Sequence, residues 1–465
     1  MKIGMVAAEM APLAKVGGLG DVVGALSAEL AGLGHAVTVL LPAYASIRGG
    51  QLAGLADGAA EVFFDGMLRR VPLRRGRLGK VEVVLIDDPM VAGRGPYDDA
   101  DARDEAYRYA LLSRVAADWL APRCDALQLH DHHAALTASM LVGRLRPATL
   151  LTIHNMAYQG IHAWKDLDAA ALPVESRSRL DWYGRANALK GALISADAVN
   201  AVSPTYALEI RDTENGCGLQ QFVRDRGDTL SGIVNGIDTR TWNPSNDPYI
   251  AAQYGPREMA GKDACRAALA REFSLANDPG RPLIGIVSRL TEQKGFDLLR
   301  PIMPEVTALA DMAVLGQGDA RIEASFRGDA GRHVGVHIGF DEGLAHRIIA
   351  GSDLVLMPSR FEPCGLIQLI AMRYGTLPVV RRTGGLADTV LDADEDGKDG
   401  FGFQFDRATP AALFSAIFRG LKAVQDGRGP ALARRAMAVD VSWSRSAARY
   451  ERLLQSLVAM RPAVT

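Results

Sequence analysis

Short apolar runs alternate with helical or loop segments along almost the whole chain, and the alternation breaks once and restarts. The first series occupies residues 3–8, 36–41, 81–86, 126–129, 149–153 and 198–202. The second occupies 283–288, 312–315, 335–338, 354–357, 377–380 and 402–405. Runs of this length, without polar alternation and separated by helix-length segments, suit parallel strands buried on both faces. Helices are expected at 296–303, 344–350, 366–374 and 386–391, with a bridging helix at 257–273 and an amphipathic helix at 443–458. Residues 49–79 are less regular and suit an antiparallel excursion. The break falls at Asn235-Gly236-Ile237-Asp238 and Trp242-Asn243-Pro244, where turn formers cluster. The chain therefore reads as two doubly wound α/β domains in tandem.

Bulk properties exclude several function classes. The 465 residues are 48% hydrophobic and 23% charged, with a formal net charge of −2. That is the composition of a globular protein, with no basic block for nucleic acid. No apolar run spans a membrane. The N-terminus enters a strand with no leader pattern, and Cys124, Cys217, Cys265 and Cys364 lack metal-ligand spacing, so a reducing cytoplasm is expected.

In open parallel sheets, ligands bind beyond the carboxyl ends of the strands. The first strand leads to Lys15-Val16-Gly17-Gly18-Leu19-Gly20-Asp21, where glycines open a helix with Val22, Val23, Leu26, Leu30 and Leu33 on one face. Bare amides at a helix start, with Lys15 beside them, suit an anion, and Asp21 suits a cap or a hydroxyl. A glycine-rich turn of this kind is also common without a ligand. The dinucleotide fingerprint fits badly: the glycines run Gly18-x-Gly20-x-x-x-Gly24, and the second strand ends in Pro42 with no acid for a ribose. Strand 126–129 ends at His130-Asp131-His132-His133, and strand 149–153 at His154-Asn155. Asp131, His132 and His133 are adjacent and expected to point apart, which argues against a metal site. His154 is either a core histidine or, at a strand end, a substrate contact, the reading preferred here.

The second series carries its own cluster. Ser288-Arg289 ends one strand, and Lys294 follows at a helix start, two cations suited to a diphosphate. Pro358-Ser359-Arg360-Phe361-Glu362-Pro363-Cys364-Gly365-Leu366 ends another. Glu362 there is suited to sugar hydroxyls or, alternatively, to a helix dipole. Thr383-Gly384-Gly385-Leu386-Ala387-Asp388 opens a further helix, with amides for a second anion seat.

Taken together, these segments resemble the starch synthase and bacterial glycogen synthase family, over nearly the whole chain. The matching motifs are the 15–21 stretch, Thr152-Ile-His-Asn-Met-Ala-Tyr-Gln-Gly160, Val202-Ser-Pro204, Gly232-Ile-Val-Asn-Gly-Ile-Asp238, Ser288-Arg-Leu-Thr-Glu-Gln-Lys-Gly295, Ser359-Arg-Phe-Glu-Pro-Cys-Gly-Leu366 and Arg382-Thr-Gly-Gly-Leu-Ala-Asp388. The resemblance implies a retaining glycosyltransferase of GT-B fold, two Rossmann-like domains facing across a deep cleft. Residues 1–240 and a returning helix at about 443–465 would form the acceptor-side domain, and 241–442 the donor domain, with a pivot near 235–244 and near Asp440. It implies ADP-glucose as donor and the non-reducing end of glycogen or another α-1,4-glucan as acceptor, with no cofactor, metal, nucleic acid or membrane partner.

By motif position, His154, Asp131, Arg289, Lys294 and Glu362 would be catalytic. Lys15, Gly17, Gly18, Asp21, Asn155, Cys364, Gly365, Leu366, Thr383, Gly384 and Gly385 would bind the donor. Arg289 and Lys294 would hold the diphosphate, Glu362 the glucosyl hydroxyls. No carboxylate is assignable as a nucleophile, so same-face attack within an ion pair is expected. Three positions depart from the family pattern: His132 replaces a Trp, Ile367 replaces a Thr, and Ile370 stands where many relatives of the wider class carry a second Glu. The alternatives are another GT-B transferase using a UDP-sugar, or a non-catalytic glucan-binding protein.

Overall fold

A computed structural model describes residues 1–98, 101–276, 278 and 280–461. The chain divides into two compact units. One comprises residues 1–235 with the segment from Trp443 onward, and the other Gly236–Ser442.

The first unit is built on a nine-stranded sheet. Its strand order is Leu230–Gly232, Ala198–Ala201, Ala148–Ile153, Ala126–His130, Lys2–Val6, Ala36–Pro42, Val81–Ile86, Met67–Leu78, Ala53–Phe64. The first seven are parallel, and the last two form an antiparallel hairpin, the excursion expected at 49–79. The opening strand stops at Val6 rather than Ala8, because the chain then turns toward the 15–21 loop. Helix Gly18–Gly32 buries Val22, Val23, Leu26 and Leu30. Leu33 is the exception to the expected face. It is the helix C-cap, 48% exposed, where the chain turns away.

Helix Trp443–Ala459 belongs to this unit. Tyr450 Oη accepts from Asn200 Nδ2 at 2.8 Å, Ser446 Oγ donates to the Val234 carbonyl at 2.6 Å, and Glu451 meets His35 at 2.8 Å. Residues 462–465, the end of the expected 443–465 segment, lie outside the described residues.

The second unit holds a six-stranded, wholly parallel sheet: Val334–Ile338, Asp311–Gly316, Leu283–Val287, Leu354–Met357, Leu377–Arg381, Phe403–Phe405. Numbered within the unit, this is the doubly wound order 3-2-1-4-5-6. Alternate residues of one strand enter different cores: Leu354 and Leu356 join one, Val355 and Met357 the other. Both faces are therefore covered, which is why these strands read as unbroken apolar runs. The helix expected at 296–303 is broken into Phe296–Leu299, a 3₁₀ turn Arg300–Ile302 and Met303–Leu309, since Pro301 and Pro304 each lack an amide donor.

Each sheet reverses its winding at one point. In the first unit this lies between Lys2–Val6 and Ala126–His130, in the second between Leu283–Val287 and Leu354–Met357. A crevice forms at such a reversal, at the carboxyl ends of the flanking strands. The loops that leave those strands are the ones carrying the 15–21 turn, Asp131, Arg289 and Glu362.

Candidate active site

In the first unit the crevice is organised by a buried acid that sequence reasoning did not single out. Glu9 is 1% exposed. Its Oε2 accepts the amides of Val16 at 2.6 Å and Gly17 at 2.8 Å, and its Oε1 accepts the Tyr97 hydroxyl. Desolvation of the hydroxyl, then the Glu9 charge, pushes the Tyr97 pKa up although the ring is half exposed, so its hydroxyl keeps its proton. The Gly17 amide, expected to face a ligand, is thus held by the protein. Helix Gly18–Gly32 starts with Gly17 as N-cap and no side-chain cap. Asp21 is not the cap: it lies in the first turn and pairs with Lys15, Nζ to Oδ1 2.8 Å. The signal available in the sequence was that Glu9 is the lone charge within residues 3–14.

Asp131 and His154 come together across neighbouring strands. Asp131 has φ +55° at the start of helix Asp131–Met140. That left-handed conformation is uncommon for a residue with a side chain. Its Oδ1 accepts the His154 amide at 2.7 Å and the Asn155 amide at 3.4 Å, so the carboxylate fixes the backbone after Ile153. The Asn155 side chain folds back onto the Ala157 amide at 3.0 Å. His154 Nε2 lies 3.0 Å from His130 Nδ1. Burial lowers the pKa of both rings; Asp131 and Glu9 partly oppose this at His154. A neutral imidazole at His154 follows at neutral pH.

His132 and His133 do not point apart as expected. Their ring centroids are 3.8 Å apart, and His132 Nε2 lies 3.4 Å from Glu105 Oε1. Among the described residues, no group of three or more His, Cys, Asp or Glu is placed to hold a metal ion.

In the second unit, Arg289 is exposed, and its side chain has no hydrogen bond or ion pair among the described residues. Lys294 instead meets Glu362, Nζ to Oε2 2.6 Å, with side chains 15% and 8% exposed. Ser359 Oγ donates to the same oxygen at 2.8 Å. Glu362 therefore does not serve a helix dipole: it is buried against a cation, five residues before helix Ile367–Arg373. The approach of the two loops depends on Gly295 at φ +70°, where a Cβ would lie 2.1 Å from the Pro358 carbonyl. The Arg360 amide donates to the Gln293 carbonyl at 2.8 Å and completes the junction.

Thr383 precedes helix Gly384–Thr389 as its N-cap and is buried. Gly384, at φ +44°, and Gly385 press on the 362–364 backbone. A Cβ on either would lie 1.9 Å from the Glu362 carbonyl or 2.2 Å from that of Cys364. The Gly385 amide donates to the Glu362 and Pro363 carbonyls at 3.1 and 3.2 Å. It is engaged within the protein rather than offered as an anion seat. Cys364 is buried, Gly365 turns at φ +74°, and Leu366 is the N-cap of the next helix. Asp392 and Asp394, whose Asp-x-Asp spacing is one that metal-dependent sites use, are both tied to Arg419 at 2.8 and 3.0 Å.

Two mainly parallel α/β units, each with ligand-suited residues on the loops of its winding reversal, together with the similarities that follow, place the chain among the GT-B glycosyltransferases. The starch synthase catalytic domain family matches residues 2–225, and group 1 glycosyl transferases match 281–423. A protein named glycogen synthase 2 from Geobacter metallireducens is 42% identical over 98% of this chain and 99% of its own. A glycogen synthase from Anaeromyxobacter dehalogenans is 44% identical over 98% of this chain and 100% of its own. The catalytic domain of starch synthase IV from Arabidopsis thaliana, solved with ADP and acarbose, superimposes with a TM-score of 0.90 at 33% identity, covering 98% and 99% of the two chains. The chain belongs to the glycogen and starch synthase family.

Proposed function

We propose that this protein is a glycogen synthase: it transfers glucose from ADP-glucose to the non-reducing end of an α-1,4-glucan with retention of configuration. The observation that carries this reading is full-length identity above 40% to proteins named glycogen synthase, with Lys15, Arg289, Lys294 and Glu362 all on the strand-end loops. The ADP and acarbose in the Arabidopsis structure support the donor and glucan classes. Among the described residues no helix is long and apolar enough to cross a membrane.

In this reading Arg289 and Lys294 stabilise the diphosphate as the glycosidic bond breaks, when negative charge on the leaving group grows. The Gly18 end of helix Gly18–Gly32 and Lys15 add positive potential. Glu362 orients the glucosyl hydroxyls while holding Lys294 in place. His154, neutral and with its backbone fixed by Asp131, would lie beside the transferred sugar, and the acceptor hydroxyl attacks from the face that ADP leaves, passing its proton to the departing phosphate oxygen.

The deciding experiment measures nucleotide release from ADP-glucose and UDP-glucose with glycogen present. ADP release with chain elongation supports the proposal. Faster UDP release assigns the protein to another GT-B activity, and no release from either, with glycogen still retained by the protein in a pull-down, makes it a glucan binder.

A further inference from the structure

The 15–21 turn carries Lys15 and the start of helix Gly18–Gly32, which a donor would meet, and its backbone is tied to the preceding segment where the Ala11 amide donates to the Gly20 carbonyl at 2.9 Å. It contains three glycines, and its helix lacks a side-chain cap. Lys15 and Asp21 close it with a surface pair, each side chain more than a third exposed. Such a pair contributes little to order. The rigid element is behind the turn. Glu9 is buried, reached directly from the opening strand of the sheet, and both its oxygens are engaged. Hydrogen bonds to a charged acceptor are about twice as strong as neutral ones. Gly20 lets the helix start sit against this carboxylate: a Cβ there would lie 3.2 Å from Glu9 Oε2.

We propose that Glu9 is a positioning residue for the nucleotide-sugar donor. It clamps Val16 and Gly17 by their amides, and so sets where Lys15 and the helix start face the ligand, while Tyr97 locks its second oxygen. The inference rests on the donor reading above for its kinetic consequence, but the clamp itself is separately measurable.

Glu9→Gln keeps the shape and removes the charge. A neutral amide accepts through one oxygen and turns an NH₂ toward the second site. Hydrogen exchange in the peptide spanning 13–21 should accelerate by about tenfold to a hundredfold, the scale of losing one hydrogen bond to a charged group. The ADP-glucose KM and the ADP dissociation constant should rise by a similar, about tenfold or larger, factor. The glycogen KM and exchange within Lys2–Val6 should stay unchanged. Unaltered exchange in 13–21 overturns the proposal. So does acceleration spread evenly through the first unit, because that marks Glu9 as a structural acid only.

If Glu9→Gln does not fold, Tyr97→Phe carries the test. It removes one of three donors to the carboxylate and should accelerate exchange in 13–21 severalfold; no change there overturns the clamp. Wild-type protein that turns over no ADP-glucose would refute the function, and the exchange measurement would still decide the clamp.

Discussion

Lys294→Met tests whether the Lys294–Glu362 pair is an element of the second unit's architecture. The ammonium lies 2.6 Å from Glu362 Oε2, and the two side chains are 15% and 8% exposed. With the ammonium gone, a nearly buried carboxylate keeps the Ser359 hydroxyl at 2.8 Å and loses its counter-ion. Breaking a buried pair from one side costs about 3–5 kcal/mol. The residual exposure of Lys294 admits some water, so the lower end, about 3 kcal/mol, is expected here. For a unit of this size that is a fall of about 6–12 °C in its melting transition.

Glu362→Gln should cost less, about 1 kcal/mol, because a freed lysine can carry its charge to water. The double variant leaves no buried charge and should melt well above Lys294→Met. The coupling energy in the cycle should be about 2 kcal/mol. Calorimetric melting of the four proteins measures it. A Lys294→Met shift below about 2 °C, less than 1 kcal/mol for this size, refutes the argument, and so does an additive double variant. Ligand binding gives a second reading of the same pair. Glu362→Gln removes a negative charge beside the ammonium but also frees it, two opposing effects, so ADP affinity should stay nearly unchanged while turnover falls.

Arg289→Ala should lower kcat by about 10²–10³, the scale of one preorganised electrostatic partner, and weaken ADP, with melting unchanged because the side chain is exposed and unpaired among the described residues. Turnover should persist in excess chelator, since side chains supply the positive charge at the diphosphate; loss of rate restored by Mg²⁺ or Mn²⁺ would contradict this. Lys262 is half-buried, and its Nζ donates to the Ala350 and Tyr374 carbonyls and Thr376 Oγ1 at 3.0, 3.3 and 2.6 Å. Burial lowers its pKa from 10.5 to about 8. Between those values the unfolded chain holds a proton that the folded chain has released, so this residue makes stability rise with pH, by about 3 kcal/mol in all. Denaturant titrations from pH 7 to 10.5 should show wild type gaining stability relative to Lys262→Met as pH rises; groups shifted upward, such as Cys124 and Tyr374, act in the opposite direction but equally in both proteins.

The architecture was legible because parallel strands covered on both faces are apolar throughout. Each run from 3–8 to 402–405 marks a strand, with ends in error by a residue or two where capping and loop geometry decide. Proline explains the one helix that broke, and the pattern there was visible as Pro301 and Pro304. The site was legible as a set of positions and not as a set of partners. Gly17 and Gly385 announced bare amides in the sequence, but whether an amide meets a ligand or the protein depends on what the fold brings opposite. Glu9 and the Glu362 carbonyl are what it brings.

The same limit explains Lys294 and Glu362, 68 residues apart. Each was readable alone as a ligand contact, a cation for phosphate and an acid for hydroxyls. Their pairing depends on Gly295 tolerating a left-handed turn under the Pro358 carbonyl, so that the loops of two neighbouring strands at one winding reversal can touch. Charge placed this way has a consequence for chemistry. An unpaired lysine at the surface would be mobile and hydrated, and would have to be ordered and stripped of water as the leaving group forms. A lysine already held by a buried carboxylate has met part of that cost on folding. The Asp131 carboxylate acts on the backbone of His154 and Asn155 in the same sense, through an amide rather than an ammonium. In both units, then, the acids are placed to fix other groups, which is why a reading that asks what each residue would touch in a substrate finds them and still misassigns their nearest partner.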